Sequence, residues 1–152
     1  MTAPNCIHCS KPAKPVTGAE IYPHLSHLHD GKYWLCAPCT AYVGSHKDTG
    51  LPLGFPANRE VRSARQQVHK KLDPIWKVKA NKWKRDDVYG YLALSLDLSR
   101  DQTHTAMFDL DRCRDAWRAL NTLERQIVAG HSKDDIFELL DASLSAHSSV
   151  IE

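Results

Sequence analysis

Four cysteines stand in two closely spaced pairs near the start of the 152-residue sequence. Cys6 and Cys9 form one Cys-x2-Cys pair, and Cys36 and Cys39 form the second pair after 26 intervening residues. A Cys-x2-Cys pair on a tight turn directs two thiolates at one point, and two such pairs complete the tetrahedral sulfur shell that Zn²⁺ prefers. Since four thiolates leave no coordination position open for water, the spacing predicts one structural zinc ion and no catalytic role for it.

Other interpretations of these cysteines are open. The pairs could stay without metal or act as a redox dithiol, although a redox site needs only one Cys-x-x-Cys pair. A histidine could replace one thiolate, and five histidines lie near the cysteines in sequence: His8, His24, His27, His29 and His46. We expect them instead to be loop residues or hydrogen-bond donors to sulfur. The fifth cysteine, Cys113, falls on the apolar stripe of a predicted helix and is expected to be a small buried core residue.

Strand-forming residues flank the second cysteine pair. Residues 32–35 precede it and residues 40–43 follow it, and both runs favour extended structure. Residues 19–22 are a further short strand candidate. Strands on both sides of a cysteine pair are typical of a zinc ribbon, whereas a treble clef would place a helix directly after the second pair. We therefore predict a zinc ribbon over residues 1–50, followed by a turn-rich loop.

A helix is predicted to follow this loop. It should begin near Ala57, with Asn58 as its N-terminal cap. It should end at Asp73, because the residue before Pro74 disfavours the helical conformation. Its narrow apolar stripe comprises Val61, Ala64, Val68 and Leu72.

Three more helices are predicted, over residues 86–98, over residues 109–129 and from residue 132 onward. Their inward-facing residues should be Val88, Tyr91, Leu92 and Leu96, then Leu110, Cys113, Trp117, Leu120 and Ile127, then Ile136, Phe137, Leu140 and Leu144. The fold class is therefore α+β, with a small N-terminal zinc ribbon packed against a mainly α-helical body over residues 51–147. Residues 148–152 are expected to form a flexible tail.

Charge is distributed unevenly along the chain, although the formal net charge is only +2. Residues 59–85 carry ten Lys/Arg and two Asp/Glu, a net of about +8, whereas residues 86–152 carry a net of about −7. Cations interleaved with the rings of Trp76 and Trp83 are suited to a nucleic-acid backbone and to base stacking. The candidate nucleic-acid-binding residues are Arg59, Arg62, Arg65, His69, Lys70, Lys82, Lys84 and Arg85.

Three of these candidates, Arg62, Arg65 and His69, lie beside the apolar stripe of the first helix. An arginine at the edge of a core either holds an internal carboxylate, which is a structural role, or presents its fork to a phosphate. The other cations could equally form an ordinary solvated face. Trp76 and Trp83 could likewise be core residues.

No stretch of the sequence approaches the roughly 20 apolar residues that span a bilayer. Residues 1–9 also lack the apolar core of a secretory signal. We therefore expect a cytoplasmic protein with no membrane partner. In a reducing compartment, paired cysteines bind metal in preference to forming disulfides.

An ordered string of residues runs from the first cysteine pair into the predicted helices. It comprises Cys6, Cys9, Ile21, Tyr22, Pro23, Cys36, Cys39, Ala41, Tyr42, Val43, Gly44, His46, Pro52, Leu53, Gly54, Ala57, Arg62, Arg65, His69, Asp73, Trp76, Arg85, Tyr89, Leu92, Ala93, Met107, Phe108, Asp109 and Cys113. In this string the chain resembles the zinc-finger-containing domain family, whose members are found mainly in bacteriophages and prophages. The resemblance covers residues 5–120 and implies a bacterial or phage cytosolic setting, but no particular reaction. Residues 103–106 read Thr-His-Thr-Ala here, where the family often carries Cys-His-Ile-Gly.

Three functions are compatible with these features. The first is a zinc-ribbon module that binds DNA or RNA through residues 59–85. The second is a phage-encoded adaptor or inhibitor that binds a host protein through the acidic helical half. The third is a nuclease that cleaves phosphodiesters with His46, Arg62, Arg65, His69 and Asp73, but the chain has no compact catalytic motif. The balance is therefore against an enzyme and in favour of the nucleic-acid-binding module.

Overall fold

The structure, a computed structural model, describes the backbone of residues 2–151 and the side chains of residues 2–146. Within that part of the chain lie a three-stranded sheet and five helices: β1 Lys14–Thr17, α1 Gly18–Ile21, β2 Lys32–Cys36, β3 Ala41–Gly44, α2 Arg59–Lys77, α3 Arg85–Leu96, α4 Leu110–Val128 and α5 Lys133–Ile151. The α+β class, with a cysteine-bearing ribbon before a mainly helical remainder, is confirmed. The side chains of the predicted tail, 148–152, lie outside the described residues.

The chain divides into two compact units. The first unit comprises Met1–Gln66 and His104–Asp111, and the second comprises Gln67–Thr103 and Arg112–Glu152. The first unit contains the sheet, and α2 begins in it and continues into the second. The domain limits predicted from sequence stay a prediction, because compactness does not test which segment folds by itself.

The sheet of the first unit is antiparallel, in the order β1-β2-β3. One of its faces is buried, where Trp34 of β2 and Val43 of β3 pack with Ala13. The indole of Trp34 also donates a hydrogen bond to the carbonyl of Gly50 at 3.2 Å. Alternation along β2 therefore sends Trp34 into the core and its neighbours Tyr33 and Leu35 to the opposite face.

The strand predicted at residues 19–22 is wrong, because Gly18–Ile21 forms one helical turn and β1 precedes it. The chain turns at Gly18, which lies very close to Leu28. A Cβ added to Gly18 would stand 1.6 Å from the carbonyl oxygen of Leu28. The sequence analysis did not predict β1, because this strand contains Pro15. β1 is an edge strand of the sheet, and proline is tolerated on such strands.

Helix α2 begins as predicted but ends later. The side chain of Asn58 accepts a hydrogen bond from the N–H of Val61 at 3.1 Å, which is the expected N-terminal cap. The predicted end at Asp73 is wrong, since the helix runs on to Lys77. Pro74 stands in the final turn, where its missing N–H costs one hydrogen bond, and its own carbonyl still accepts from Val78 at 3.0 Å.

The second unit has an apolar core drawn from α3, α4 and α5. Its fully buried side chains include Val88, Leu92, Leu120, Leu123 and Ile136, and Cys113 is buried as predicted. Trp83 is only 5% exposed, and its ring stacks on Phe137 with 5.7 Å between ring centroids. The inward position predicted for Trp117 is wrong, because its side chain is 44% exposed. The ammonium of Lys71 lies 4.4 Å from the centroid of that ring.

Candidate metal centre and nucleic-acid interface

The four predicted ligands meet in the first unit. The sulfur atoms of Cys6, Cys9, Cys36 and Cys39 all lie within 4.8 Å of one another. The sulfurs of Cys9 and Cys36 are 3.7 Å apart. A tetrahedral zinc–thiolate centre with bonds of about 2.3 Å has sulfur–sulfur edges of about 3.8 Å. The residues therefore fit one Zn²⁺ ion, and such an ion would hold the ribbon without an open position for substrate.

Each cysteine pair closes a narrow hairpin. Asn5 pairs with Pro12 across the first knuckle, and Cys36 pairs with Ala41 across the second. The residue after each second cysteine adopts a left-handed backbone, with a φ of 63° at Ser10 and 52° at Thr40. This conformation reverses the chain tightly enough for both thiols of a pair to face the same point. It is unfavourable for a β-branched residue such as Thr40.

Hydrogen bonds to sulfur and burial shift the pKa values of three of these thiols in different directions. The backbone N–H of Lys11 donates to Cys9 and lowers the pKa of that thiol. The pKa of Cys39 is raised to about 12, chiefly because its thiol donates to the Cys9 sulfur and because it is desolvated. At Cys36 the backbone N–H of Cys39 lowers the pKa, but burial and the neighbouring thiols together raise it. Cys36 and Cys39 therefore hold their protons until zinc displaces them.

The nearby histidines do not join the cluster. His8 accepts a hydrogen bond at Nε2 from the backbone N–H of Asn58 at 2.9 Å, and its own backbone N–H donates to the Cys6 sulfur at 3.4 Å. His29 Nε2 donates to the carbonyls of Tyr22 and Pro23 at 3.2 and 3.1 Å. These two rings support the chain around the knuckles and α1. Among the described residues, the metal-ligating cluster contains cysteines alone.

Arg65 is bound within the protein interior. Its side chain is only 7% exposed. Nε donates to the carbonyl of Phe108 at 2.8 Å, and Nη1 donates to the carbonyl of Phe55 at 3.0 Å. The guanidinium therefore joins α2 to two loops of the first unit and is part of the scaffold of that unit.

Arg62 remains half-buried at the surface of the same unit. Its Nη1 donates to the carbonyl of Ala57 at 2.6 Å, and its guanidinium carbon lies 3.7 Å from the centroid of the Tyr42 ring. Stacking on an aromatic ring orients a guanidinium while leaving its outer N–H groups available.

The remaining predicted nucleic-acid-binding residues lie in the second unit, with the exception of Arg59. His69 Nδ1 is 3.9 Å from a carboxylate oxygen of Asp73, and Arg85 lies over the ring of Tyr89 at 4.7 Å. The other four side chains are exposed: Arg59, Lys70, Lys82 and Lys84.

A cluster of three tyrosines was missed by the sequence analysis. Tyr22, Tyr33 and Tyr42 pack edge to face, with ring centroids 5.8 to 6.0 Å apart. The hydroxyls of Tyr22 and Tyr42 share a hydrogen bond, and burial together with this bond raises the pKa of Tyr22. The alternation of side chains along β2 could have indicated this cluster, because it places Tyr33 and Leu35 on the face opposite the buried Trp34 and Cys36.

A three-stranded ribbon with a closed four-cysteine centre defines a zinc-finger protein of the ribbon type. The zinc-finger-containing domain family matches residues 2–123, and the chain belongs to that family. No match was found among curated proteins or among solved structures. No helix of the described residues is long and apolar enough to cross a membrane.

Proposed function

We propose that this protein is a zinc-ribbon module that binds nucleic acid, working in the cytoplasm of a bacterial cell and encoded by a phage or prophage. The origin and the compartment rest on the family resemblance, whereas the binding activity rests on charge. The observation that carries it is the number of cations in residues 59–85 that stay exposed and without an internal partner.

Five of the ten cations in this segment have internal partners. Lys71 pairs with Glu124 at 2.9 Å, and Lys77 pairs with Asp73 at 3.4 Å. Arg62, Arg65 and Arg85 bind carbonyls or rings, as described above. The other five are exposed and form no ion pair with a described side chain: Arg59, Lys70, Lys79, Lys82 and Lys84.

Exposed cations without carboxylate partners attract phosphates and release counterions when they bind them. Of the two tryptophans in this segment, Trp83 is buried in the core and Trp76 is half-buried, with its indole N–H donating to Asp73 at 3.3 Å. The proposed contact is therefore electrostatic and directed at the backbone of the nucleic acid. Zinc would take no part in it beyond holding the ribbon.

The test is a salt titration by fluorescence anisotropy with labelled duplex DNA, single-stranded DNA and RNA. Binding at low salt should weaken steeply as salt rises, with a logarithmic slope of about −0.7 to −0.9 for each phosphate contacted. The triple variant K70Q/K82Q/K84Q should lose about tenfold or more in affinity and show a shallower slope.

The matched control is K11Q/R118Q/R125Q, which removes the same charge from exposed positions outside the segment. It should retain most of the affinity. If wild-type protein binds none of the three probes at low salt, the proposal is wrong. An equal loss in the control would show that overall charge, and not this segment, attracts the probe.

A further inference from the structure

We infer that the outer face of the zinc ribbon is a site for an unpaired nucleotide, with its base against the ring of Tyr33 and its phosphate in the groove beside that ring. This inference rests on the proposed function and narrows it to single-stranded nucleic acid. It assigns base contacts to the ribbon and leaves general phosphate attraction to residues 59–85.

The outer face of the sheet carries two cross-strand rows. Lys14, Leu35 and Tyr42 form the first row, and Val16, Tyr33 and Gly44 form the second. Side chains directly opposite one another in an antiparallel sheet point to the same side. Neither row is buried, so this face presents aromatic and aliphatic surface next to solvent.

The tyrosines are held in place by one another. Tyr33 meets Tyr22 and Tyr42 edge to face, and the interplanar angles are 69° and 86°. An edge-to-face contact uses the rim of one ring and leaves other ring surface available for stacking. A ring fixed before binding loses little conformational entropy when a base stacks on it.

Glycines keep the surroundings of Tyr33 open. Gly44 stands opposite it on β3, and a Cβ added there would lie 3.3 Å from the Leu53 side chain, which borders the same space. At Gly31, an added Cβ would lie 2.9 Å from the Tyr33 ring, so any side chain there would press on the ring. Both glycines also line the groove next to Tyr33. The ring thus borders an open space where a planar base has room.

That groove has a volume of about 530 Å³, within the range of small-molecule sites. Its polar lining residues include Lys32, Ser45, His46 and Lys47. Asp30 also lines the groove, so the formal charge of its two lysines and one aspartate is +1. One phosphodiester group matches this charge and supplies acceptors for both ammonium groups.

Cations also stand at the far side of the face. Arg62 lies over the ring of Tyr42. Lys14 lies at the other end of the cross-strand row that contains Tyr42. Aromatic rings bordered by cations on both sides suit a strand of alternating bases and phosphates. The bases of duplex DNA are paired and stacked. A base of a duplex can reach Tyr33 only at the free-energy cost of unpairing and unstacking it.

The test compares the wild-type protein and two variants at one position, Y33L and Y33F. Y33L removes the aromatic face and keeps apolar bulk, whereas Y33F keeps the ring. The probes are labelled oligo(dT), the same oligomer with abasic sites in place of its bases, and a duplex of equal length. Zinc content and circular dichroism confirm that each variant is folded.

Y33L should bind oligo(dT) about tenfold or more weakly, as expected for loss of one stacked base. Y33F should bind it like wild type. The abasic oligomer should bind wild type and Y33L equally, because it offers phosphates but no base. Affinity for the duplex should be the same for all three proteins. The variant K32Q/K47Q should weaken oligo(dT) binding and reduce the salt slope by about one.

The two proposals fail in different ways. If Y33L binds oligo(dT) as wild type does, while K70Q/K82Q/K84Q is weakened, the ribbon site is wrong and the proposed function stands. If Y33L weakens duplex and abasic binding as much as oligo(dT) binding, stacking on Tyr33 is likewise refuted. If wild type binds no probe at low salt, both are wrong.

Discussion

Arg65 donates its Nε proton to the main-chain carbonyl of Phe108 at 2.8 Å, across 43 positions of sequence. Phe108 is itself only 1% exposed, so its carbonyl has little access to water. Within the first unit this bond joins the N-terminal part of α2 to residues 104–111. An arginine that resembled a phosphate ligand in the sequence is thus part of the scaffold.

Replacing Arg65 should destabilise the first unit. R65K keeps the charge but cannot form the same fork, so buried carbonyl groups lose their donors. We expect the free energy of unfolding to fall by about 2–3 kcal/mol, measured in urea by tryptophan fluorescence. The control R59K changes an exposed residue of the same helix and should stay within about 0.5 kcal/mol of wild type. An R65K protein as stable as wild type would contradict this role.

Removing one cysteine ligand should unfold the ribbon. The free energy of binding a structural zinc ion, on the order of 10 kcal/mol, is also free energy of folding. C36S should therefore lose the ion and the ordered structure of residues 1–50, measured by metal analysis and circular dichroism. C113S, which alters the buried cysteine of the second unit, should retain one zinc ion per chain. Full zinc content in C36S would show that Cys36 is not a ligand.

Zinc affinity should fall as the pH falls. The pKa of Cys39 is raised to about 12 and that of Cys36 is also raised, so both thiols are protonated near neutral pH before zinc binds. Zinc binds thiolates and must displace these protons, and each displaced proton weakens binding by about tenfold per unit decrease in pH. Competition with a chelator at pH 6, 7 and 8 measures this slope. An affinity independent of pH over that range would exclude thiol ligands.

Relief of the left-handed backbone at Thr40 should stabilise the zinc-bound ribbon. A β-branched residue with a φ of 52° costs about 1–2 kcal/mol relative to glycine, which adopts this conformation freely. Glycine also adds conformational entropy to the unfolded chain, and this offsets part of the gain. The free energy of unfolding of T40G, measured by heat or urea, should therefore rise by about 0.5–1 kcal/mol.

Thr17 supplies the matched control for that substitution. Its φ of −99° is ordinary extended backbone, and it pairs with Lys32 in the sheet. T17G should therefore lose about 0.5–1 kcal/mol. If T40G and T17G change stability in the same direction, strain at Thr40 is not the cause.

The zinc centre was predictable because its information is local. The geometry of a Cys-x2-Cys turn depends on four consecutive residues, and a tetrahedral ion needs two such turns. The helices were predictable for a related reason, since a period of 3.6 residues is visible within one segment. The end of α2 was predicted less accurately, because Pro74 is accommodated in its last turn, and Trp117 of α4 was assigned to the wrong face.

The roles of Arg65 and the three tyrosines were decided only by tertiary structure. The carbonyls that Arg65 binds are 10 and 43 positions away, and any residue type supplies a carbonyl, so no pattern in the sequence marks them. Tyr22, Tyr33 and Tyr42 come from three separate segments that meet only after the sheet has formed. Spacing along the chain determined the metal ligands, whereas folding determined which cations stay at the surface and which rings stand beside them.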